Sequence, residues 1–166
     1  SRFNIDRVGG KNAAIGELIN SIRHKAFFTP EGFVVSSSAY QFFLKQNNLN
    51  DFIKQELENC KSGDYNSTLA ASERIQKRIL KSNLPTEVRQ GVALAFQALC
   101  DGVGSSCTLA VRSSASAEDL AQASFAGIHE SYLNVRSEEE LFRATLKCYA
   151  SLFSVRAIQY RQEMRF

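Results

Sequence analysis

Residues 108–136, TLAVRSSASAEDLAQASFAGIHESYLNVR, read as a strand, a long polar loop and a second strand. The run at 108–111 is short, mostly apolar and partly β-branched, which is typical of a buried strand, and it ends at Arg112. The segment 113–127 holds four serines, five alanines and one glycine, so it predicts a loop of small residues. Residues 129–135 alternate in side-chain character, which predicts the second strand.

The alternation in the second strand also predicts which side chains share a face. One face should carry Ser131, Leu133 and Val135, and the other should carry Glu130, Tyr132 and Asn134.

The loop between the strands is suited to binding an anion. Small residues let the backbone approach a ligand closely, and the hydroxyls of Ser113 and Ser114 can donate to phosphate oxygens. Arg112 adds a planar guanidinium that matches phosphate geometry. The alternative is a surface hairpin loop whose serines hydrogen-bond only its own backbone.

A second anion-binding pattern lies near the beginning of the sequence. Gly9 and Gly10 allow a tight turn before Lys11, and a helix is predicted next, because Ile15, Leu18, Ile19 and Ile22 recur at helical spacing. The N-terminus of a helix offers free N–H groups and a positive dipole end. A plain glycine turn with a solvated lysine is the alternative, and the spacing is not that of a Walker A loop.

The rest of the chain predicts mainly helices. Phe33 to Val35 suggest a buried strand, and the serines at 36–38 can cap a helix that buries Tyr40, Phe43 and Leu44. Further helices are predicted over 51–60, around Leu69, Ile75, Ile79 and Leu80, and after Pro85 with Val88, Val92, Phe96 and Leu99 on the inner face.

Ser137 and Glu140 form a capping-box pattern that starts another helix. Val155 and Ile158 indicate a further helix, on which Arg156 and Arg161 are predicted to lie at the surface.

Composition restricts the class of protein. The 166 residues carry a net charge of +3 with no basic block, which does not indicate a nucleic-acid partner, and no apolar run is long enough for a transmembrane helix. The four cysteines lack a CxxC pair, so a zinc site is not expected, and Cys60, Cys100 and Cys148 are predicted to be free and buried in helices. These features predict a reduced, cytoplasmic protein. The abrupt first and last residues suggest part of a longer polypeptide.

Four motifs resemble the phosphoenolpyruvate synthase and pyruvate phosphate dikinase family, which also includes rifampicin phosphotransferases. They are VGGKNAAIGEL at 8–18, PEGFVVSSSAY at 30–40, VRSSASAEDLAQASFAG at 111–127 and ASLFSVRAIQYR at 150–161. The resemblance implies an α/β (α+β) fold: the ATP-grasp-like N-terminal subdomain of the nucleotide-binding domain, with a small mixed sheet and several covering helices. Residues 1–166 would form a single domain within the ATP-binding region of a longer enzyme.

The resemblance also implies a nucleotide site. Lys11 and Arg112 would hold ATP phosphates, with Ser113 and Ser114 beside them, and Gly127 would lie in the phosphate-covering loop. No catalytic residue and no metal ligand is expected in this chain, because the acidic ligands of Mg²⁺ would follow residue 166. The pair at 118–119, Glu-Asp, could bind Mg²⁺ or could equally cap backbone groups.

In the family, ATP phosphorylates a carrier histidine elsewhere in the polypeptide, and pyruvate then becomes phosphoenolpyruvate. The expected partners are therefore nucleotide, pyruvate and the other domains of the same chain, with no nucleic acid and no membrane. An antibiotic phosphotransferase and a non-catalytic nucleotide-responsive module are the alternatives. One departure is visible: after Phe-Ala-Gly the family often has Gln-Gln-Glu or Gln-Gln-Asp, whereas residues 128–130 are Ile-His-Glu.

Overall fold

The fold is mostly helical, with two short antiparallel strand pairs. The computed structural model describes residues 8, 13–18, 31–60, 63–101, 107–113, 119–120, 123–124 and 131–164. Its helices, after a helical segment at 13–18, are α1 (Ser37–Gln46), α2 (Leu49–Glu58), α3 (Tyr65–Lys81), α4 (Thr86–Asp101), α5 (Glu138–Ser151) and α6 (Val155–Glu163). Its strands are β1 (Leu109–Arg112), β2 (Asp119–Leu120), β3 (Ala123–Ser124) and β4 (Ser131–Val135).

Side-chain caps determine where several helices begin. The hydroxyl of Ser36 accepts a hydrogen bond from the amide of Ala39, as the sequence predicts for α1. The carboxylate of Asp64 caps α3 by accepting from the amides of Asn66 and Ser67.

The capping box at α5 is confirmed, but the hydrogen bond to the glutamate side chain comes from an amide one residue earlier than in the usual pattern. The hydroxyl of Ser137 accepts from the Glu140 amide at 3.2 Å. The Glu140 carboxylate accepts from the Arg136 amide at 2.8 Å, instead of from the amide of the capping serine.

Helix α3 lies at the centre of the packing. It contacts α2, α5 and α6, and it buries Thr68, Ala71, Ser72, Ile75 and Ile79 at helical spacing. The buried hydroxyl of Ser72 donates to the carbonyl of Phe153 at 2.7 Å, which joins α3 to the α5–α6 connection. The core therefore forms among the helices, with Phe43, Leu49, Val135, Leu141, Phe142 and Ile158 among its other members.

The pair β1–β4 rests on α5 and has an irregular register. Leu109 is paired with Val135, but Val111 is paired with Tyr132, so one extra residue lies in β4. The backbone of Asn134 accommodates the extra residue: its φ is 59°, in the left-handed region that asparagine tolerates. As a result Val135 is buried and Tyr132 half-buried, while Leu133 is 64% exposed.

The predicted faces of β4 are therefore wrong. Strict alternation placed Leu133 with Val135, and the bulge at Asn134 separates them. The half-buried Tyr132 makes a cation–π contact, because the ammonium of Lys147 lies 5.3 Å from the centroid of the tyrosine ring.

The helix predicted around Ile15 is confirmed at 13–18, where Ile15 and Leu18 are 46% and 49% exposed. Two other predictions need correction. Residues 33–35 form no strand, although Phe33 and Val35 pack against the core. The α+β class is confirmed, but the strands within the described ranges pair only in antiparallel fashion, as β1–β4 and β2–β3, and not as a mixed sheet.

Candidate functional site

Arg112 is the last residue of β1, and the strand presents it to solvent. Leu109 and Val111 pack against the core from the inner face of the strand, which leaves Ala110 and Arg112 exposed on the outer face. Arg112 is paired with Ser131 of the neighbouring strand β4. Because α5 packs against both strands, the backbone at Arg112 is held in place by these contacts.

The guanidinium of Arg112 lies on an exposed residue. Within the ranges that the structure describes, it forms no salt bridge, in contrast to Arg74, whose guanidinium contacts Glu56 at 2.7 Å. A guanidinium presents several N–H donors in one plane and is well suited to two oxygens of a phosphate.

Ser113 follows Arg112 and has an unsatisfied hydroxyl. Its Oγ is buried and has no hydrogen-bond partner among the described residues. A buried hydroxyl without a partner is costly to the free protein, and most such groups have one. Within the described ranges, a hydroxyl without a partner thus lies next to a guanidinium without a salt bridge, and two such groups fit a site for the oxygens of an anion.

The other predicted site residues cannot be placed. Lys11, Ser114 and Gly127 lie outside the described residues, and so does the predicted convergence of Lys11 with Arg112. Of the Glu-Asp pair at 118–119, only the second residue is described, in β2. No group of three or more potential metal ligands occurs in the described part of the chain.

A buried polar cluster on the helical side was missed by the sequence analysis. The rings of Tyr40 and Tyr149 lie 4.8 Å apart between centroids. Burial raises the pKa of both phenols, that of Tyr40 to about 12. Of the two hydroxyls, that of Tyr149 is buried with no partner among the described residues.

Arg161 belongs to this cluster and is not the surface residue that the sequence predicted. Its Nη2 donates to the Leu152 carbonyl at 2.6 Å, and its guanidinium lies 5.6 Å from the Phe153 ring centroid. Burial lowers the pKa of Arg161, and nearby Tyr40 acts in the opposite direction. Because Arg161 follows buried Ile158 by three positions, helical spacing was the signal that could have placed it inward.

The cysteine prediction is wrong for one pair. Cys100 and Cys107 form a disulfide, with their Cα atoms 5.3 Å apart. The end of α4 and the residues before β1 come close enough for this bond, although no sequence pattern pairs the two cysteines. Cys60 and Cys148 are free, and of these Cys148 is buried as predicted, whereas Cys60 is half-buried.

A shallow cavity of about 330 Å³ lies at the C-terminal end of α3. It is lined by Asn47, Arg78, Lys81, Ser82 and Asn83. Of the residues predicted to bind phosphate, the two that the structure describes, Arg112 and Ser113, are not part of this lining.

Comparison with protein families identifies the chain. Residues 5–166 match the pyruvate phosphate dikinase AMP/ATP-binding domain. The chain belongs to this family. The predicted resemblance is thereby confirmed over nearly the whole sequence, including both segments in which Lys11 and Arg112 lie.

Curated relatives are named phosphoenolpyruvate synthases. The probable phosphoenolpyruvate synthase of Methanocaldococcus jannaschii is 38% identical over 167 residues, which cover 100% of this chain and 14% of that protein. The Pseudomonas aeruginosa phosphoenolpyruvate synthase is 38% identical over 162 residues, 98% of this chain and 20% of that protein. The Aquifex aeolicus enzyme is 38% identical over 159 residues, 95% of this chain and 19% of that protein. The chain thus spans a fifth or less of the length of these relatives.

None of the helices in the described ranges is both long and apolar enough to span a membrane.

Proposed function

We propose that the chain is the N-terminal part of the ATP-binding region of a phosphoenolpyruvate synthase-like enzyme. The observation that carries this proposal is the match of residues 5–166 to an AMP/ATP-binding domain whose curated relatives are phosphoenolpyruvate synthases. Residues 1–166 would form a single unit of that region, with an ATP-grasp-like arrangement in which the helices cover a small sheet.

In this proposal the phosphate-binding groups come from two separate segments. Arg112, at the exposed end of β1, would hold two phosphate oxygens through its guanidinium. Ser113 would donate its orphaned hydroxyl to a further oxygen. Lys11, Ser114 and Gly127 would add a point charge, a second hydroxyl and a closely approaching backbone.

The chemical contribution of these residues would be positioning and charge stabilisation. In phosphoryl transfer the charge is spread over the oxygens of the transferred group, so fixed cations lower the barrier more than acid–base groups do. Mg²⁺ would neutralise the phosphates further, with ligands supplied mainly from outside these residues.

The full enzyme would use ATP to phosphorylate a carrier histidine elsewhere in the polypeptide and would then pass the phosphoryl group to pyruvate. The test is to incubate the full-length protein with ATP, Mg²⁺ and pyruvate and to measure phosphoenolpyruvate and AMP. We expect both products in a pyruvate-dependent reaction.

Two control reactions distinguish the alternatives. Phosphorylation of rifampicin in place of pyruvate would assign the antibiotic phosphotransferase activity, and nucleotide binding without either product would assign a non-catalytic module. Residues 1–166 alone should make no phosphoenolpyruvate or AMP above a buffer control, because the carrier histidine and the metal ligands are expected in other parts of the protein.

A further inference from the structure

The disulfide lies where α4 leads into the strand that carries Arg112. Cys100 is in the last turn of α4, and Cys107 is two residues before Leu109, the first residue of β1. The bond therefore closes a short loop and connects the end of a helix directly to the beginning of this strand.

Helix α4 is a firm attachment point for the strand. The Gln97 amide donates to the Glu138 carboxylate at 3.0 Å, and the guanidinium of Arg89 lies 4.5 Å from the centroid of the Phe142 ring. Both contacts join α4 to α5, the helix on which β1 also rests. With the disulfide formed, the start of β1 is held from α4 as well as from α5.

Both sulfur atoms belong to residues that solutes can reach. Cys100 and Cys107 are half-buried, whereas Cys148 is buried within α5. Thiol–disulfide exchange requires direct attack of a thiolate on a sulfur, so reagents of low molecular weight can act on a half-buried pair.

We propose that Cys100 and Cys107 are a reversible thiol–disulfide modification site that controls how tightly the start of β1 is held. Low-molecular-weight disulfides oxidise the pair, and dithiols reduce it. In oxidation, the thiolate of one cysteine attacks a sulfur of the reagent and releases one thiolate, forming a mixed disulfide. The second cysteine then attacks its partner's sulfur and releases the second thiolate. Two cysteine thiols lose two electrons and two protons, and the reagent gains them as two thiols.

The structure gives an expected size for the effect. Closing a loop of about 8 residues restricts the unfolded chain, and its release should lower the melting temperature by roughly 5–10 °C in a domain of this size. Amide hydrogen exchange at the start of β1 should also become faster on reduction, because the covalent attachment of the strand to α4 is lost.

The first experiment detects the bond in the full-length protein. Samples are treated with glutathione disulfide or with dithiothreitol, alkylated under denaturing conditions and digested with trypsin. Cleavage after Arg89 and Arg112 places both cysteines in one peptide, residues 90–112. We expect this peptide to carry no alkyl group after oxidation and two after reduction. The peptide that contains the buried Cys148 should be alkylated in both samples and serves as the internal control.

The second experiment measures the consequence. The oxidised protein should melt at a higher temperature than the reduced protein and exchange more slowly at residues 107–112. The C100S/C107S variant should behave like the reduced protein under both treatments, while C60S should keep the wild-type difference. Two alkyl groups on peptide 90–112 after oxidation would overturn the proposal. So would equal melting temperature and exchange in the oxidised and reduced wild-type protein, a comparison that does not depend on any variant folding.

Discussion

Replacing Ser113 with alanine should affect the free and the nucleotide-bound protein in opposite directions. The Ser113 hydroxyl is buried and has no partner among the residues that the structure describes, and a buried hydroxyl without a partner costs about 1–3 kcal/mol of stability. Ser113→Ala removes this cost, so the free protein should melt roughly 2–12 °C higher, at about 2–4 °C per kcal/mol. If the same hydroxyl donates to a charged phosphate oxygen, its loss removes about 1.5–3 kcal/mol of binding and weakens ATP affinity roughly 10- to 150-fold.

Thermal melts of the nucleotide-free protein and calorimetric ATP titration measure the two effects. Ser131→Ala is the matched control, because Ser131 is exposed on the neighbouring strand, directly across from Arg112. It should change the stability by less than about 0.5 kcal/mol. A lower melting temperature for Ser113→Ala would show that the hydroxyl already has a partner in the free protein. A higher melting temperature with unchanged ATP affinity would refute its role in binding phosphate.

Three further predictions concern the tyrosine cluster and the loop after Phe-Ala-Gly. Tyr149→Phe should stabilise the protein by about 1–3 kcal/mol, because it removes a buried hydroxyl that has no partner in the described part of the chain. Denaturant unfolding measures this, with Tyr65→Phe at an exposed tyrosine as the control, and a loss of stability would contradict the prediction. The pKa of Tyr40 is raised from 10.0 to about 12 on folding, so the stability it contributes is complete below pH 10 and is lost as the pH rises through 12. The free energy of unfolding, measured between pH 10 and 12, should show this loss of stability, and the loss should be smaller in Tyr40→Phe. An equal loss in that variant would show that Tyr40 is not its source. Ile128→Gln in the full-length protein should leave phosphoenolpyruvate formation equal or higher, since the family often has glutamine there, and a large loss with folding intact would mean that this loop is built differently.

Local signals in the sequence predicted the helices well. The caps at Ser36 and Ser137 depend on contacts within one turn, so the sequence pattern contains all of the relevant information. The same holds for the inner face of α1, where Phe43 is fully buried.

Features that depend on distant residues were predicted less well. The faces of β4 were wrong because Asn134 adopts positive φ and interrupts the alternation, and this bulge exists only in the pairing with β1. Arg161 was placed at the surface because its charge was given more weight than its position, three residues after Ile158. The Cys100–Cys107 bond depends on how α4 and β1 come together, which spacing alone does not report.

The candidate site was predicted through family motifs more than through physical pattern. A glycine turn before a helix and a serine-rich loop are each common without a ligand, so the residues alone left both interpretations open. The exposed Arg112 and the orphaned Ser113 hydroxyl are consistent with the phosphate site, and the role of Lys11 stays a prediction.

The most direct test is calorimetric titration of ATP into the full-length protein and its Lys11→Ala and Arg112→Ala variants, with melting curves alongside. Each variant loses charge-assisted hydrogen bonds worth about 1.5–3 kcal/mol, so affinity should fall roughly 10- to 150-fold in each. Arg112→Lys should also bind more weakly, because a point charge does not replace a planar fork. Arg143→Ala, which removes an exposed arginine from α5, should bind ATP normally. The melting temperature of Arg112→Ala should change little, since an exposed cation contributes little to stability. Unchanged ATP affinity in both Lys11→Ala and Arg112→Ala would contradict the account.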